Sequence, residues 1–427
     1  MNNEMPSQLT TIQEAEQFLL AYSPEKLAGE TYTLGRMKEL MSRLGDLQNK
    51  IPAIHVAGTS GKTSTSYYIR SLLQAHGRRT GLSISPHITA ITERVQIDGE
   101  PLADRLFISY LNEFIAIIEN WQDIKLTYFE LLTAFGFWVF YKEQVDYMVI
   151  EVGLGGLLDA TNVITSSNKV SVITPIGLDH THILGVTIEE IAKQKAGIIL
   201  PSSDVFVTPQ AKAAERVISS VIQRTDSRVT RLEQLQQYRG DIPPFQQDNF
   251  KLAQAVVRYI AKRDGLMNAD EAVVAACIYN TPPGRFEVYK AGKVTIILDG
   301  AHNPQKLAAF CNALRLQYDS PYTWLVGFIE APDEKIENCL EQIYMPANEY
   351  YFTNFRVRQD IKSRKSVDMY ELVDRTDDWD AFVSAVSNPV QVLEKIVHSQ
   401  KQRTVVITGS LYLVAKLRES IRQLAEA

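Results

Sequence analysis

The sequence contains little cysteine, and the cysteines it has are scattered. Cys277, Cys311 and Cys339 are its three cysteines, and no two of them form a CxxC pair. This argues against a disulfide framework and against a cysteine-ligated zinc site. We expect the three thiols to be small buried hydrophobic groups in a reducing compartment.

Long apolar runs and an excess of basic residues are also missing. No apolar run reaches the roughly 18 residues of a membrane-spanning helix, and the N-terminal residues lack the basic and apolar segments of a signal peptide. The 44 basic and 50 acidic residues give a net charge of -6, whereas a general nucleic-acid-binding protein is basic. We therefore expect a cytoplasmic protein that binds neither a membrane nor nucleic acid.

The composition and the pattern along the chain predict an α/β protein. With 427 residues, 45% of them hydrophobic, the chain is long enough for two or three domains. Apolar β-branched runs alternate with amphipathic helical stretches, which is typical of mostly parallel sheets covered by helices. The predicted strands are Ile54–Gly58, Thr80–Ser85, Tyr147–Gly153, Val170–Pro175, Asp204–Thr208, Thr295–Gly300, Tyr322–Phe328, Tyr350–Asn354 and Thr404–Gly409. The predicted helices include Ser64–His76, Phe129–Tyr141, Thr187–Lys195, Pro304–Leu316 and Leu411–Ala425.

One segment carries a phosphate-binding pattern. The residues IHVAGTSGKTS read as a strand, a glycine-rich turn and the start of a helix. Gly58 and Gly61 let the backbone curl so that N–H groups face a phosphate, and the helix N-terminus adds its dipole. Lys62 can reach the terminal phosphates, while a hydroxyl of Thr63 or Ser64 can meet Mg²⁺. The common form GxxxxGK[ST] is not met, but the shorter form GTxGKTS is.

This segment and ten others resemble the folylpolyglutamate synthase and dihydrofolate synthase family of the Mur ligase superfamily. The motifs keep the family's order from about residue 32 to about residue 418. They are TLGRMKELMSRLG, HVAGTSGKTS, TGLSISPHI, ERVQIDGEPL, TYFELLTAFGF, EVGLGGLLDATNVI, VITPIGLDHTHILG, IEEIAKQKAGII, PPGRFEV, ILDGAHNP and VITGSLYLVAKLR.

The resemblance implies a fold and a domain division. It implies an N-terminal P-loop ATPase-like domain with a mostly parallel sheet, over residues 1–283, and a smaller C-terminal Rossmann-like α/β domain, over residues 284–427. The stretch Asn280–Lys293, which contains two prolines and a glycine, independently predicts a boundary in this place.

Some polar residues stand out by their positions at strand ends or among apolar neighbours. Glu151 ends an apolar strand, which is a good position for a metal ligand, although a surface charge would look the same. His180 alone would more often be a core histidine. Lys195 lies among Ala and Ile residues, where burial favours the neutral amine that can react with CO₂, whereas Lys193 fits a solvated helix position.

The resemblance assigns roles to these residues and to others. Catalytic roles are implied for Lys62, His180, Lys195 and His302. ATP binding is implied for Gly58, Thr59, Ser60, Gly61, Lys62, Thr63, Ser64, Asn249, Arg285 and Asp299. Metal ligation is implied for Ser85, Glu151, His180 and Lys195, and substrate binding for Phe129, His302 and Ser410. It further implies two Mg²⁺ ions, K⁺, a carbamylated Lys195 and a monomer.

The sequence departs from the family pattern in a few places. Leu157 stands where the family usually has arginine in EVGLGGRLDATN. By the resemblance, this removes a cation near the acceptor or the acyl phosphate. Phe245 replaces a histidine before Asn249, and Ala331–Asp333 replace a DKD triplet.

Three functions fit these observations. The first is an ATP-dependent ligase that adds L-glutamate to folate or dihydropteroate through an acyl phosphate. The second is a Mur-type ligase for another carboxylate or amino acid, and the third is a non-catalytic nucleotide-binding relative. An enzyme is favoured by the retained residues Lys62, Glu151, His180, Lys195, Asp299 and His302.

Overall fold

The computed structural model describes residues 8–23, 33–121, 123–357, 364–399 and 401–426. These residues form two compact units. The first contains the residues up to Leu235 together with Asp248–Thr281, and the second contains Gln236–Gln247 and the described residues from Pro282 onward.

The first unit has an eight-stranded sheet with helices packed against it. The strands run in the order β4-β3-β2-β5-β1-β6-β7-β8, and all neighbours are parallel except β2 with β3 and β3 with β4. Its strands are β1 (Ala53–Ala57), β2 (Thr80–Ser83), β3 (Val95–Ile97), β4 (Glu100–Pro101), β5 (Tyr147–Glu151), β6 (Val170–Ile173), β7 (Asp204–Val207) and β8 (Arg228–Arg231). Its helices are α1 (Ile12–Leu20), α2 (Gly35–Arg43), α3 (Lys62–Ala75), α4 (Asp104–Ile118), α5 (Tyr128–Lys142), α6 (Thr181–Leu184), α7 (Ile188–Ala196), α8 (Lys212–Thr225), α9 (Pro244–Asp264) and α10 (Glu271–Ala276).

The second unit has a six-stranded sheet in the order β15-β12-β11-β16-β10-β9, in which only the edge strand β9 is antiparallel to its neighbour. Its strands are β9 (Arg285–Ala291), β10 (Val294–Asp299), β11 (Tyr322–Val326), β12 (Glu349–Phe352), β15 (Phe382–Ala385) and β16 (Arg403–Thr408), with a separate hairpin of β13 (Arg356–Val357) and β14 (Arg364–Lys365). Its helices are α11 (Pro304–Gln317), α12 (Asp333–Ile343), α13 (Met369–Asp374), α14 (Pro389–His398) and α15 (Leu411–Glu426).

The central strands are fully buried because helices cover both faces of each sheet. Every residue of β1, β5, β6 and β7 is buried, and so is every residue of β11. Such strands read as continuous apolar runs. The predicted α/β class is confirmed, and each end of the predicted strands and helices lies within two residues of the observed one.

The strands that the sequence did not predict lie at edges or in small hairpins. They are β3, β4, β8, β9, β13, β14 and β15. Strand β9 forms from the second half of the predicted linker, and most of its residues are partly or fully exposed. Short, half-exposed strands have no continuous apolar run, so the pattern that predicts central strands does not apply to them.

Candidate active site

The glycine loop, residues Gly58–Gly61, connects β1 to α3. Gly58 has a φ of 152° and Gly61 a φ of 84°, both in the region that favours glycine. A Cβ atom on Gly58 would lie 1.8 Å from the Thr174 hydroxyl oxygen. Only glycine fits there without moving the segment after β6.

The loop is pinned to that segment by hydrogen bonds. The N–H groups of Thr59 and Ser60 both donate to the Pro175 carbonyl oxygen, over 2.9 and 3.2 Å. The Thr59 hydroxyl donates to the Gly177 carbonyl oxygen over 3.0 Å. The N–H groups that helix geometry leaves without an intrahelical acceptor are those of the first turn, Lys62–Ser64. These are the donors that the fold offers to an anion at the start of α3.

The Thr63 hydroxyl donates to Glu151 Oε1 over 3.0 Å. Glu151 is the last residue of β5 and is 3% exposed. Because β5 pairs in parallel with β1, its carboxyl end lies beside the glycine loop. Hydroxyl and carboxylate oxygens are the ligands that Mg²⁺ prefers, so this pair fits a magnesium ion.

Lys195 reaches the same loop from α7. Its side chain is buried, and its Nζ donates to the Gly58 carbonyl oxygen over 2.9 Å. The loop after β5 presses on the same helix, since a Cβ atom on Gly156 would lie 2.7 Å from the Gln194 carbonyl oxygen. Lys195, Thr63 and Glu151 therefore surround one loop.

Asn249 on α9 lies against the other end of the loop. It is buried, and its Oδ1 would lie 2.4 Å from a Cβ atom on Gly61. The structure thus brings together every residue of the first unit predicted to bind ATP.

His180 and Ser85 lie on loops that follow other strands of this sheet. His180 precedes α6 and has a φ of 50°, and its N–H donates to Asp179 Oδ1 over 3.1 Å. Ser85 follows β2. In the described ranges, no three or more histidine, cysteine or acidic side chains group closely enough to hold a metal ion. The assignment of these two residues as metal ligands therefore stays a prediction.

The loop that contains Ser85 is organised by Glu93, to which the sequence assigned no role. The Glu93 carboxylate accepts hydrogen bonds from the N–H groups of Ile88, Thr89 and Ala90, over 2.7, 2.8 and 3.0 Å. Its place in the motif ERVQIDGEPL, directly after the loop that it holds, was the signal available.

Phe129 and Leu157 lie near the glycines of the EVGLGG motif. A Cβ atom on Gly153 would lie 2.3 Å from the Phe129 ring, so this ring packs on the loop backbone. The Leu157 N–H donates to the Gln194 carbonyl oxygen over 2.7 Å, and its side chain is 37% exposed. An apolar side chain thus lies where the family pattern would place a cation.

The second unit gathers its own polar group around Gly300, just after β10. A Cβ atom on Gly300 would lie 3.0 Å from Arg285 Nη1 and 3.0 Å from the Leu411 Cα atom. Leu411 follows Ser410, whose buried hydroxyl accepts a hydrogen bond from the Tyr412 N–H over 3.2 Å at the start of α15.

Asp299 is buried beneath this group. Its two carboxylate oxygens accept the N–H groups of Phe286 and Ala301, over 2.9 and 2.8 Å. Burial raises the pKa of Asp299 to about 6, although the nearby Arg285 and the two N–H groups act in the opposite direction. The carboxylate thus fixes the backbone of β9 at Phe286 and the backbone just after β10 at Ala301.

His302 has a neighbour that the sequence did not indicate. Its Nδ1 lies 2.8 Å from the Gly300 carbonyl oxygen, which can only accept, so Nδ1 carries the hydrogen. Its Nε2 lies 3.2 Å from Lys306 Nζ. Lys306 stands four residues beyond His302, in the first turn of α11, and falls outside the motif ILDGAHNP.

None of the helices in the described part of the chain is both long and apolar enough to cross a bilayer.

Two family models match the sequence. Residues 56–254 match the Mur ligase middle domain, and residues 285–422 match the dihydrofolate synthetase C-terminal domain. A dihydrofolate synthase/folylpolyglutamate synthase from Bacillus subtilis is 31% identical over 420 residues, which cover 91% of this chain and 95% of that protein.

Solved structures agree with this match over nearly the whole length. A Mycobacterium tuberculosis folylpolyglutamate synthase complexed with ADP has a TM-score of 0.81 at 27% identity, covering 96% of this chain and 97% of that one. An E. coli FolC in complex with DHPP and ADP has a TM-score of 0.82 at 26% identity, covering 98% and 99%. The chain belongs to the dihydrofolate synthase/folylpolyglutamate synthase family.

Proposed function

We propose that this chain is an ATP-dependent ligase that joins L-glutamate to the carboxylate of a folate or of dihydropteroate. The contact between the Thr63 hydroxyl and the Glu151 carboxylate beside the glycine loop carries the proposal. It combines a phosphate-binding helix start with hard oxygen ligands in a chain of this family.

The residues proposed to bind ATP are those that the family resemblance implies. The glycine loop and the first turn of α3 bind the phosphates, with Lys62 on the terminal ones. Asn249 lies beside the loop, and a planar guanidinium such as that of Arg285 suits a bidentate phosphate contact. The full set is Gly58, Thr59, Ser60, Gly61, Lys62, Thr63, Ser64, Asn249, Arg285 and Asp299.

Two Mg²⁺ ions and K⁺ are the proposed cations, with Ser85, Glu151, His180 and Lys195 as ligands for magnesium. When bound, Mg²⁺ neutralises charge on the transferring phosphoryl group. Lys195 would ligate as a carbamate, formed when its neutral amine adds to CO₂ and releases a proton. The carbamate nitrogen keeps one hydrogen, so the bond to the Gly58 carbonyl oxygen can persist.

The reaction has two steps. An oxygen of the acceptor carboxylate attacks the γ-phosphorus, the bond to ADP breaks, and Lys62 stabilises the charge that develops. The amine of glutamate then attacks the resulting acyl phosphate, a C–N bond forms and phosphate leaves. His302 is the proposed acceptor of the amine proton, through the Nε2 that Lys306 Nζ contacts in the structure. Phe129 and Ser410 are the proposed contacts to the acceptor and to glutamate.

A different acceptor is the second candidate function, and Leu157 is the observation that favours it. The family's arginine is replaced here by an apolar side chain, so the surroundings proposed for the acceptor differ from those of the family pattern. The enzyme is proposed to act as a monomer in either case.

The test is ligation by the purified protein with ATP, Mg²⁺, K⁺ and L-glutamate. Dihydropteroate and tetrahydrofolate are offered separately, and products are identified by mass. One added glutamate on dihydropteroate means dihydrofolate synthase activity, and serial additions on tetrahydrofolate mean polyglutamylation. A Lys62→Met variant should form neither product. If the unchanged protein hydrolyses ATP but modifies neither acceptor, the folate assignment is rejected in favour of the second candidate.

A further inference from the structure

Two motif residues without a part in the proposed chemistry, Glu287 of PPGRFEV and Arg418 of VITGSLYLVAKLR, form an ion pair. Arg418 Nη2 lies 2.9 Å from Glu287 Oε1, and its Nε lies 3.0 Å from Oε2. Their side chains are 20% and 29% exposed. A forked guanidinium–carboxylate pair with this little exposure is held in one geometry.

Glu287 also holds the backbone just before Arg285. Its Oε2 accepts the Gly284 N–H over 2.9 Å, and its Oε1 accepts the Tyr289 hydroxyl over 2.6 Å. Burial acts to raise the pKa of Glu287, but the bonds from Arg418, Tyr289 and Gly284 outweigh it and hold that pKa below its ordinary value. The carboxylate therefore stays charged and keeps all its partners.

The backbone on each side of Arg285 is unusual. Gly284 has a φ of 65° and Phe286 a φ of 53°, and a bulky residue at positive φ is strained unless its surroundings hold it there. Asp299 holds Phe286 by accepting its N–H over 2.9 Å. Both neighbours of Arg285 are thus fixed by carboxylates, Glu287 on one side and Asp299 on the other.

Helix α15 contacts the surroundings of Arg285 at two places. Leu411, at its start, lies against Gly300 beside the Arg285 guanidinium. Arg418 follows Leu411 by seven residues, which is two helical turns and therefore the same face. The helix that begins after Ser410 thus touches both the residue next to Arg285's guanidinium and the carboxylate that fixes Arg285's backbone.

We infer that Glu287 and Arg418 form a clasp that positions Arg285 for the phosphates of ATP. Neither residue is a catalytic residue, since both act through Arg285. The inference rests on the proposed function in one respect, the assignment of Arg285 to ATP.

The experiment is a double-mutant cycle read by nucleotide affinity. The variants are Glu287→Gln, Arg418→Met, Arg418→Lys, Arg285→Met and the double variant Glu287→Gln with Arg285→Met. Each is titrated with a non-hydrolysable ATP analogue, and its KM for ATP and for glutamate and its Tm are measured. Arg422→Met is the matched control, because it removes a guanidinium from the exposed side of the same helix, where Arg422 pairs with Glu419.

Glu287→Gln and Arg418→Met should each weaken binding of the analogue and raise the KM for ATP by about tenfold. A loss of this size is usual when a hydrogen bond to a charged group is removed. The KM for glutamate should change less, Arg418→Lys should restore part of the loss, and Arg422→Met should change nothing. In the double variant the two effects should not add, because both act on the same contact.

Additive effects, or an unchanged analogue affinity with a lowered Tm, would overturn the inference and leave the pair a structural role only. If no acceptor is ligated by the unchanged protein, the proposed function fails. The analogue titration still decides the clasp in that case, because it needs no acceptor.

Discussion

Lys195 Nζ and the Gly58 carbonyl oxygen are joined by a hydrogen bond of 2.9 Å, although the two residues are 137 positions apart. The bond ties α7 to the glycine loop from inside the first unit. It places a buried amine within reach of the loop that is proposed to bind the phosphates.

Replacing Lys195 by methionine should lower kcat for ligation by about a hundredfold, the usual cost of removing one preorganised donor or charge from a reacting group. The loss combines the missing bond to Gly58 with the missing proposed metal ligand. Lys193→Met is the control, since Lys193 is exposed on the same helix. Steady-state rates of both variants decide the point, and equal rates would contradict a role for Lys195.

Nucleotide binding should depend on the absence of a side chain at Gly61 in the glycine loop. A methyl group there would meet Asn249 Oδ1 at 2.4 Å, whereas a methyl group on Gly77 would meet nothing within 4 Å. Both glycines have positive φ, 84° and 73°, so Gly61→Ala and Gly77→Ala share the backbone cost of about 1–2 kcal/mol. Only Gly61→Ala should also displace Asn249. Nucleotide titration should show at least about a tenfold loss for Gly61→Ala and unchanged affinity for Gly77→Ala.

The sequence alone was enough to predict the buried central strands, the helices between them and the residues that lie in motifs. Buried parallel strands have continuous apolar runs, so β1, β5 and β11 were found with nearly correct ends. The glycine loop was found because Gly58, Gly61 and Lys62 lie close together in one short segment. Both predictions depend only on the spacing of residues that are neighbours in the sequence, so they need no knowledge of contacts between distant segments.

Contacts between distant segments were not predictable in the same way. Nothing near Lys195 indicates that its amine will donate to the Gly58 carbonyl oxygen, 137 positions away. The clasp between Glu287 and Arg418 joins residues 131 positions apart. Such pairs follow from the strand order, which one sequence does not reveal.

The buried Lys169 side chain should make the free energy of unfolding depend on pH. It is fully buried before β6, with Nζ 3.3 Å from the Ile164 carbonyl oxygen. Burial lowers the pKa of Lys169 from 10.5 to about 7. Between these values the unfolded chain binds more protons than the folded chain, so this lysine makes stability rise with pH. The free energy of unfolding should therefore gain about 2 kcal/mol from Lys169 between pH 7 and pH 9.

Urea unfolding of the protein and of Lys169→Met at these two pH values measures that contribution. The methionine variant should be more stable at pH 7, because it removes the cost of a buried charge, and its advantage should shrink at pH 9. Lys193→Met, which replaces an exposed lysine, should leave the pH dependence of the free energy of unfolding unchanged. A pH dependence that survives in Lys169→Met would show that another group is responsible.

Replacing Glu93 should loosen the loop that contains Ser85. Its carboxylate accepts three backbone N–H groups, from Ile88, Thr89 and Ala90, over 2.7 to 3.0 Å. A glutamine at this position has one acceptor oxygen and an amide that donates, so Glu93→Gln leaves some of these N–H groups without a partner. The loop should then hold Ser85 less firmly.

If Ser85 is a magnesium ligand, Glu93→Gln should raise the Mg²⁺ concentration for half-maximal ligation about tenfold, as changes behind a metal ligand commonly do. The measurement is a magnesium titration of activity at saturating ATP. Glu100→Gln is the control, because Glu100 is an exposed carboxylate in the adjacent strand β4. A lower maximal rate with an unchanged magnesium requirement would instead place Glu93 and its loop on the acceptor side of the reaction, where the carboxylate to be phosphorylated must be held still.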